Sequence, residues 1–357
     1  MKFRVVTAMG VMAAATSYAH AQSNVTLYGL LDTGVEHVTN VGASGSGLTR
    51  LPILTGSVPS RLGFRGSEDL GGGLKAVFNL ESGFAVKSGT LNQGGRMFGR
   101  TATVGLQGSF GTVTVGRQST MLAFGLADGD TLGPNIHGSG SLDGYIASAR
   151  SDNAIGWRGT FSGLTLGATY SLGRDALSCA GENAVDSKAC KQWSALAKYD
   201  APVWGVAFAI DEFRGGPGGT AGLTTSARKD NRVTINGYVK FGAAKMTAGL
   251  LRRDNDGNVA TPKSDLYWVG AAFPITQQFT LDGQIFRLDF KNSANEATLF
   301  AVRGTYALSK RTAVYGSLGR MTNDGASALS VSGGGPGTAP LAGNSQTGLM
   351  VGLRHAF

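Results

Sequence analysis

Charge is scarce in this sequence. Asp, Glu, Lys and Arg make up 15% of its 357 residues, against about a quarter in typical soluble domains. Proline is also rare, with 9 residues, and only two cysteines and four histidines occur. Apart from His20, the histidines lie far apart at His37, His137 and His355. There is no Gly-x-Ser-x-Gly motif and no Gly-Lys dipeptide. A serine-hydrolase elbow and a phosphate-binding loop are thereby excluded at the level of sequence, and an enzyme is not expected.

Long apolar runs are lacking too. The one stretch of note, residues 5–15, follows Lys2 and Arg4 and precedes Ala19-His20-Ala21. This is the pattern of a secretory signal peptide over residues 1–21, leaving residues 22–357 as a single mature domain. Nothing downstream approaches the ~20 apolar residues of a membrane helix. A mature membrane protein with no apolar helix has to be a closed β-barrel. In an exported chain, Cys179 and Cys190 are expected to form a disulfide, with two free thiols as the alternative. There is no Cys-x-x-Cys and no histidine nearby, so neither a metal site nor a bound cofactor is implied.

What the chain has in quantity is glycine, 56 residues, together with period-two alternation. In residues 232–241, Val233, Ile235, Gly237, Val239 and Phe241 alternate with Arg232, Thr234, Asn236, Tyr238 and Lys240. One face suits lipid and the other water. Sixteen such segments recur, at residues 25–32, 62–65, 74–84, 101–106, 112–117, 154–158, 164–172, 193–199, 203–213, 233–241, 246–252, 265–273, 279–290, 298–308, 312–320 and 348–357. Short glycine-rich connections alternate with long ones at residues 40–58, 119–150, 173–191, 215–230 and 323–345. The expected fold is all-β, a 16-stranded antiparallel transmembrane barrel with its long loops at one end and its short turns at the other. A secreted β-sandwich is the soluble alternative. It fits poorly, because one face of many strands is polar where a sandwich needs an apolar core.

Four stretches resemble the β-proteobacterial type of Gram-negative general porin. They are Val25-Thr26-Leu27-Tyr28-Gly29-Leu30-Leu31-Asp32, the run Ser60-Arg61-Leu62-Gly63-Phe64-Arg65-Gly66-Ser67-Glu68-Asp69-Leu70-Gly71, the run Phe110-Gly111-Thr112-Val113-Thr114-Val115-Gly116-Arg117-Gln118, and the ending Gly352-Leu353-Arg354-His355-Ala356-Phe357. The similarity extends over the whole mature chain and is most specific at residues 61–76 and 347–357. It implies a homotrimer in the outer membrane, surrounded by lipid and lipopolysaccharide and inserted by the barrel-assembly machinery. Extracellular long loops and periplasmic short turns follow, with the third loop, residues 119–150, folded into the lumen as a constriction.

The function implied is passive diffusion of small hydrophilic solutes and ions. By the resemblance, the basic side of the constriction is Arg61, Arg100 and Arg150, and its acidic side is Asp128, Asp130 and Asp143. Phe357 would be the C-terminal assembly signal. Strand parity adds Arg65 to the basic side. It points Arg100 outward with Val104 and Leu106, unless a bulge or the strand end intervenes. Parity also puts Arg117 beside Val113 and Val115 on the lipid face. A bare arginine there costs about 2–4 kcal/mol at mid-membrane, so a subunit interface is expected to shelter it. The net charge of +9 becomes +7 without Lys2 and Arg4, and the lean is to a weak anion preference. With charges dispersed among strands, this basicity reads as lumen lining and not as nucleic-acid binding. The alternatives are a substrate-specific channel, with Tyr28, Tyr238, Tyr267 and Tyr315 along the lumen, and a surface-binding adhesin that uses the barrel as a scaffold.

Overall fold

The computed structural model describes residues 24–333 and 337–357. The expected signal peptide lies outside the described residues. Seventeen strands follow in order. The first half comprises β1 (Asn24–Val41), β2 (Ser46–Arg50), β3 (Arg61–Gly71), β4 (Leu74–Gly83), β5 (Thr101–Gly108), β6 (Gly111–Ser119), β7 (Arg150–Phe161), β8 (Leu164–Ser171) and β9 (Gln192–Asp200). The second half comprises β10 (Trp204–Arg214), β11 (Lys229–Phe241), β12 (Ala244–Asn255), β13 (Lys263–Pro274), β14 (Phe279–Phe290), β15 (Glu296–Ala307), β16 (Thr312–Asp324) and β17 (Gln346–Ala356).

Sixteen of these close a ring of antiparallel neighbours. The seam joins β1 to β17, from Leu30 opposite Ala356 to Val38 opposite Gly348. The other edge of β1 pairs with β3 over Asn24 to Leu30 and with the short β2 further up. β2 is therefore a hairpin strand of the first loop and not a stave of the barrel. Closure gives each of the sixteen barrel strands a partner on both edges, which is what a lipid-embedded backbone requires.

The seam is finished by Phe357. Its amide donates to the Gly29 carbonyl at 3.0 Å and its carbonyl accepts from the Gly29 amide at 3.2 Å. The Phe357 ring lies over Gly29 so closely that a Cβ there would stand 2.2 Å from it. Only glycine admits this approach.

The alternation read from the sequence places side chains as expected along β11. Ile235 points out to the lipid, 54% exposed, while Thr234 and Arg232 point inward and are buried. The long connections gather at one end, and they include one more than the five expected, residues 84–100 between β4 and β5. With it counted, residues 120–149 form the third long loop.

Two expectations need correcting. The inner wall is not uniformly polar: Leu251, Leu266, Trp268, Phe286, Leu288, Leu299 and Met321 all point inward and are buried. They form one core with Met121, Leu122, Leu126, Leu132, Leu142 and Ile146 of the third loop. That loop needs an apolar seat, so β12 to β16 are apolar on both faces where it lies. Of the tyrosines proposed for a lumen track, Tyr267 faces outward, 41% exposed, with its hydroxyl donating to Asp265.

The fourth long loop is closed by a Cys179–Cys190 disulfide, and both cysteines are buried. Loop closure over this short span restrains the unfolded chain by about 3 kcal/mol in the chain-entropy model. Cys179→Ser/Cys190→Ser is expected to fold and conduct, with a lower melting temperature in a circular dichroism melt.

Candidate constriction site

The third loop begins with a short helix, α1 (Met121–Leu126). Its apolar side chains Met121, Leu122 and Leu126 join Leu196, Ala207 and Ala209 of the β9–β10 wall. Gly125 packs directly on Ala209, where a Cβ would come within 2.7 Å. Polar bonds then hold the loop to the wall. The Met121 amide donates to Ser194 Oγ at 2.8 Å, and Trp268 Nε1 donates to the Gly129 carbonyl at 2.7 Å. The Leu132 amide donates to Gln284 Oε1 at 2.8 Å, and Asn135 Nδ2 donates to the Ser57 carbonyl at 2.6 Å. The loop is therefore docked on β9 to β16 and faces the β3–β7 wall across the lumen, touching it where the Arg158 guanidinium of β7 lies over the Phe124 ring at 3.8 Å.

Arg61, Arg100 and Arg150 stand together on that wall. All three line one cavity of about 230 Å³. Arg61 opens β3, where its inward direction follows from parity with Gly63 and Arg65. Arg100 precedes β5, which starts at Thr101, so strand alternation does not govern it and it turns inward. Its Nε donates to Glu81 Oε1 at 2.5 Å. Arg61 Nη1 stands 4.0 Å from the same oxygen. Glu81 Oε2 accepts from the Tyr28 hydroxyl at 3.0 Å. Arg150 opens β7, and its buried Nε has no hydrogen-bond partner among the described residues. Three guanidiniums share the one carboxylate that contacts them, which leaves an excess of positive charge on this wall.

The loop face across the cavity is nearly uncharged. It presents Ala123, Leu126, Ala127, Pro134, Ile146, Ala147 and Ala149, and Asp130 is its one ionisable residue. This changes the acidic side expected from the sequence, because the three loop carboxylates do different work.

Asp128 pairs with Lys198 and lies 3.9 Å from Lys245, near the short-turn end of the opposite wall. Asp130 is turned into its own loop, accepting from Ser139 Oγ at 2.6 Å and the Gly133 amide at 3.1 Å. Burial raises its carboxyl above the ordinary range. Asp143 is an anchor: Arg232 of β11 reaches it with Nε at 2.8 Å and Nη2 at 3.2 Å. The partner of the arginines is Glu81, a lumen-facing carboxylate by its parity with Asn79, which the resemblance did not assign to the constriction. The missed partner of Asp143 is Arg232, already visible on the polar face of its strand.

Arg65 also needs correcting. It does face the lumen, but four residues beyond Arg61, about 13 Å along the strand. There it lies over the Tyr28 ring at 5.2 Å and lines a separate recess with Thr26 and Asn79. Arg117 is sheltered within its own chain. Its Nη1 donates to Asp152 Oδ1 at 2.5 Å and its Nε to the Gly99 carbonyl at 2.6 Å. A register shift in the β6–β7 pairing between Gly116 and Gln118 accompanies this pair. Sequence alone left Arg117 bare because Asp152 is distant in the chain.

Burial by itself raises the Asp143 carboxyl, but the facing Arg232 and Arg253 guanidiniums outweigh it and bring it down to about 2. A carboxyl held below its ordinary value contributes stability that is complete above the unfolded value and lost as pH falls through the folded one. The loop anchor is therefore expected to hold at pH 4 and to release only as pH approaches about 2. Single-channel current noise measured across that range checks it.

The comparisons with known proteins agree with this geometry. The model of the Gram-negative porin family matches residues 7–326. Outer membrane porin protein 32 of Delftia acidovorans is 33% identical, over 96% of this chain and 97% of its own length. The structure of an anion-selective porin from Comamonas acidovorans superposes with a TM-score of 0.75 at 27% identity, covering 94% of this chain and 100% of that one. The trimer form of OmpT from Vibrio cholerae shares the fold, with a TM-score of 0.63 at 16% identity over 94% of this chain and 99% of that one. With a closed sixteen-strand barrel, a loop folded across its lumen and a family match over most of its length, this chain belongs to the Gram-negative porins, the channel-forming barrels of the outer membrane.

Proposed function

We propose that this porin passes small hydrophilic solutes and ions with a preference for anions. The observation that carries the reading is the pairing of Arg61, Arg100 and Arg150, offset by Glu81 alone, with a nearly uncharged loop face. A narrow water-filled constriction selects by the charges that line it. An anion passing this site is attracted from one side and repelled by no fully exposed carboxylate on the other. The anion selectivity of the Comamonas relative supports the same sign.

The working unit in this reading is a homotrimer, supported by the trimer form of OmpT. Phe357, closing the seam at the end of the last strand, serves as the assembly signal. No catalytic residue is assigned. Purified protein in a planar bilayer under a KCl gradient tests the reading. The expected reversal potential has the sign of chloride preference, with steps closing in threes. A potassium-preferring sign would overturn it.

A further inference from the structure

The two faces of the constriction differ in more than charge. Across the cavity from Arg61, Arg100 and Arg150 the third loop presents the side chains of Ala123, Ala127, Pro134 and Ala147, with Pro59 of the first loop beside them. These side chains offer a passing ion no hydrogen bond.

The loop backbone behind them is engaged as well. The Ala123 amide donates to the Thr120 carbonyl at 3.2 Å, and the Ile146 amide donates to the Asp143 carbonyl at 3.1 Å. The Ala149 carbonyl accepts from the Thr120 amide at 3.0 Å. The Ala147 carbonyl accepts from Arg150 Nη1 at 3.3 Å, and Pro134 has no amide hydrogen to give. Asp130, the one acid on this face, has its two oxygens taken by Ser139 Oγ and the Gly133 amide. The facing wall is the reverse. Its three guanidiniums meet Glu81 alone, and Arg150 Nε has no hydrogen-bond partner among the described residues.

An anion in this cavity is therefore solvated from one side. A strongly hydrated ion such as sulfate loses water toward the loop and finds nothing there to replace it. A carboxylate with a hydrocarbon body gives up no hydrogen bond on that side. Its apolar surface also leaves water when it meets the alanines, which is favourable.

We infer that the constriction is a binding site for small amphiphilic monocarboxylates, with the carboxylate on the arginine wall and the hydrocarbon body on the third loop. A cavity of about 230 Å³ limits that body to a short chain. The inference rests on the anion-conducting reading above and adds a ranking among anions to it. Affinity rises with the length of the carbon chain, against the order that a pore polar on all sides would give.

The test uses purified protein in a planar bilayer at neutral pH, with the chloride current recorded as acetate, propionate, butyrate or pentanoate is added. The half-blocking concentration is expected to fall about two- to fourfold per added methylene, fourfold corresponding to full burial of the group. Sulfate, which is hydrated, and butyramide, which is uncharged, are expected to block more weakly than butyrate. Ala123→Ser/Ala127→Ser/Ala147→Ser places hydroxyls on the loop face, and the acetate and pentanoate values should converge. Ala127→Ser alone, at an exposed position, should shift them the same way if the triple variant inserts poorly. Arg150→Gln should raise all four values by a common factor and keep their spacing. Equal block across the series in the wild type, or wild-type spacing in the serine variants, would overturn the inference and leave the anion preference standing. A potassium-preferring reversal potential in the same bilayer would instead remove the anion reading beneath it.

Discussion

With Arg61, Arg100 and Arg150 all replaced by alanine, the reversal potential in a KCl gradient is expected to move toward that of potassium. The chloride-to-potassium permeability ratio should fall at least several-fold. A unit charge ~4 Å from an ion in water is worth ~1 kcal/mol, and each arginine acts in opposite senses on the two ions. The charge left where these three arginines stood would be Glu81, freed of Arg100 at 2.5 Å and of Arg61 at 4.0 Å, with Arg158 of β7 in the adjoining part of the lumen. The site then loses its positive excess and keeps an unpaired carboxylate. The effect should shrink in molar salt, where the Debye length is ~3 Å. An unchanged reversal potential in this variant would leave the anion preference without its structural cause.

The second large effect concerns the anchor of the third loop. Arg232 is 1% exposed and bridges Asp143 at 2.8 Å and Asp230 at 3.0 Å. Its guanidinium also lies over the Tyr145 ring at 4.3 Å. Arg232→Ala strands a buried carboxylate on the loop, and breaking a buried pair from one side costs about 3–5 kcal/mol. Arg253 still neutralises Asp230, 2.7 Å away, so the unpaired charge falls on Asp143. The cheapest relief is for the loop to leave the wall at that point. Single-channel recordings are expected to show larger and noisier conductance, with a weaker ion preference, and a melt should show a lower transition temperature. Asp143→Asn/Arg232→Met, which removes both charges, should recover much of the lost stability. Quiet, wild-type conductance in Arg232→Ala would show that the apolar seat alone holds the loop.

The strand count, the positions of the strands and the direction of most side chains were readable one residue at a time. In residues 232–241 the alternation is local, since β geometry sends neighbours to opposite faces whatever lies across the sheet. The same rule reached Arg61 and Glu81. It failed at Arg100, which lies outside a strand, and it carries no sign that the inward Trp268 donates to Gly129 of the loop. The resemblance brought Arg61, Arg100 and Arg150 into one site before any geometry was known. It assigned the loop carboxylates to the opposite wall, whereas Asp128, Asp130 and Asp143 are each bound elsewhere.

The sequence by itself determined a closed sixteen-strand barrel, because a chain without apolar helices that alternates over ten-residue segments has one way to satisfy its backbone in lipid. Strand alternation also put Arg61 on the lumen side, while Arg100 and Arg150 joined it through the resemblance alone. Only the tertiary structure decided which charges meet. Whether Asp143 faces the pore or Arg232, 89 residues away, depends on how the loop lies on its apolar seat. That docking is a sum of contacts between distant strands, and no local pattern in the chain records it.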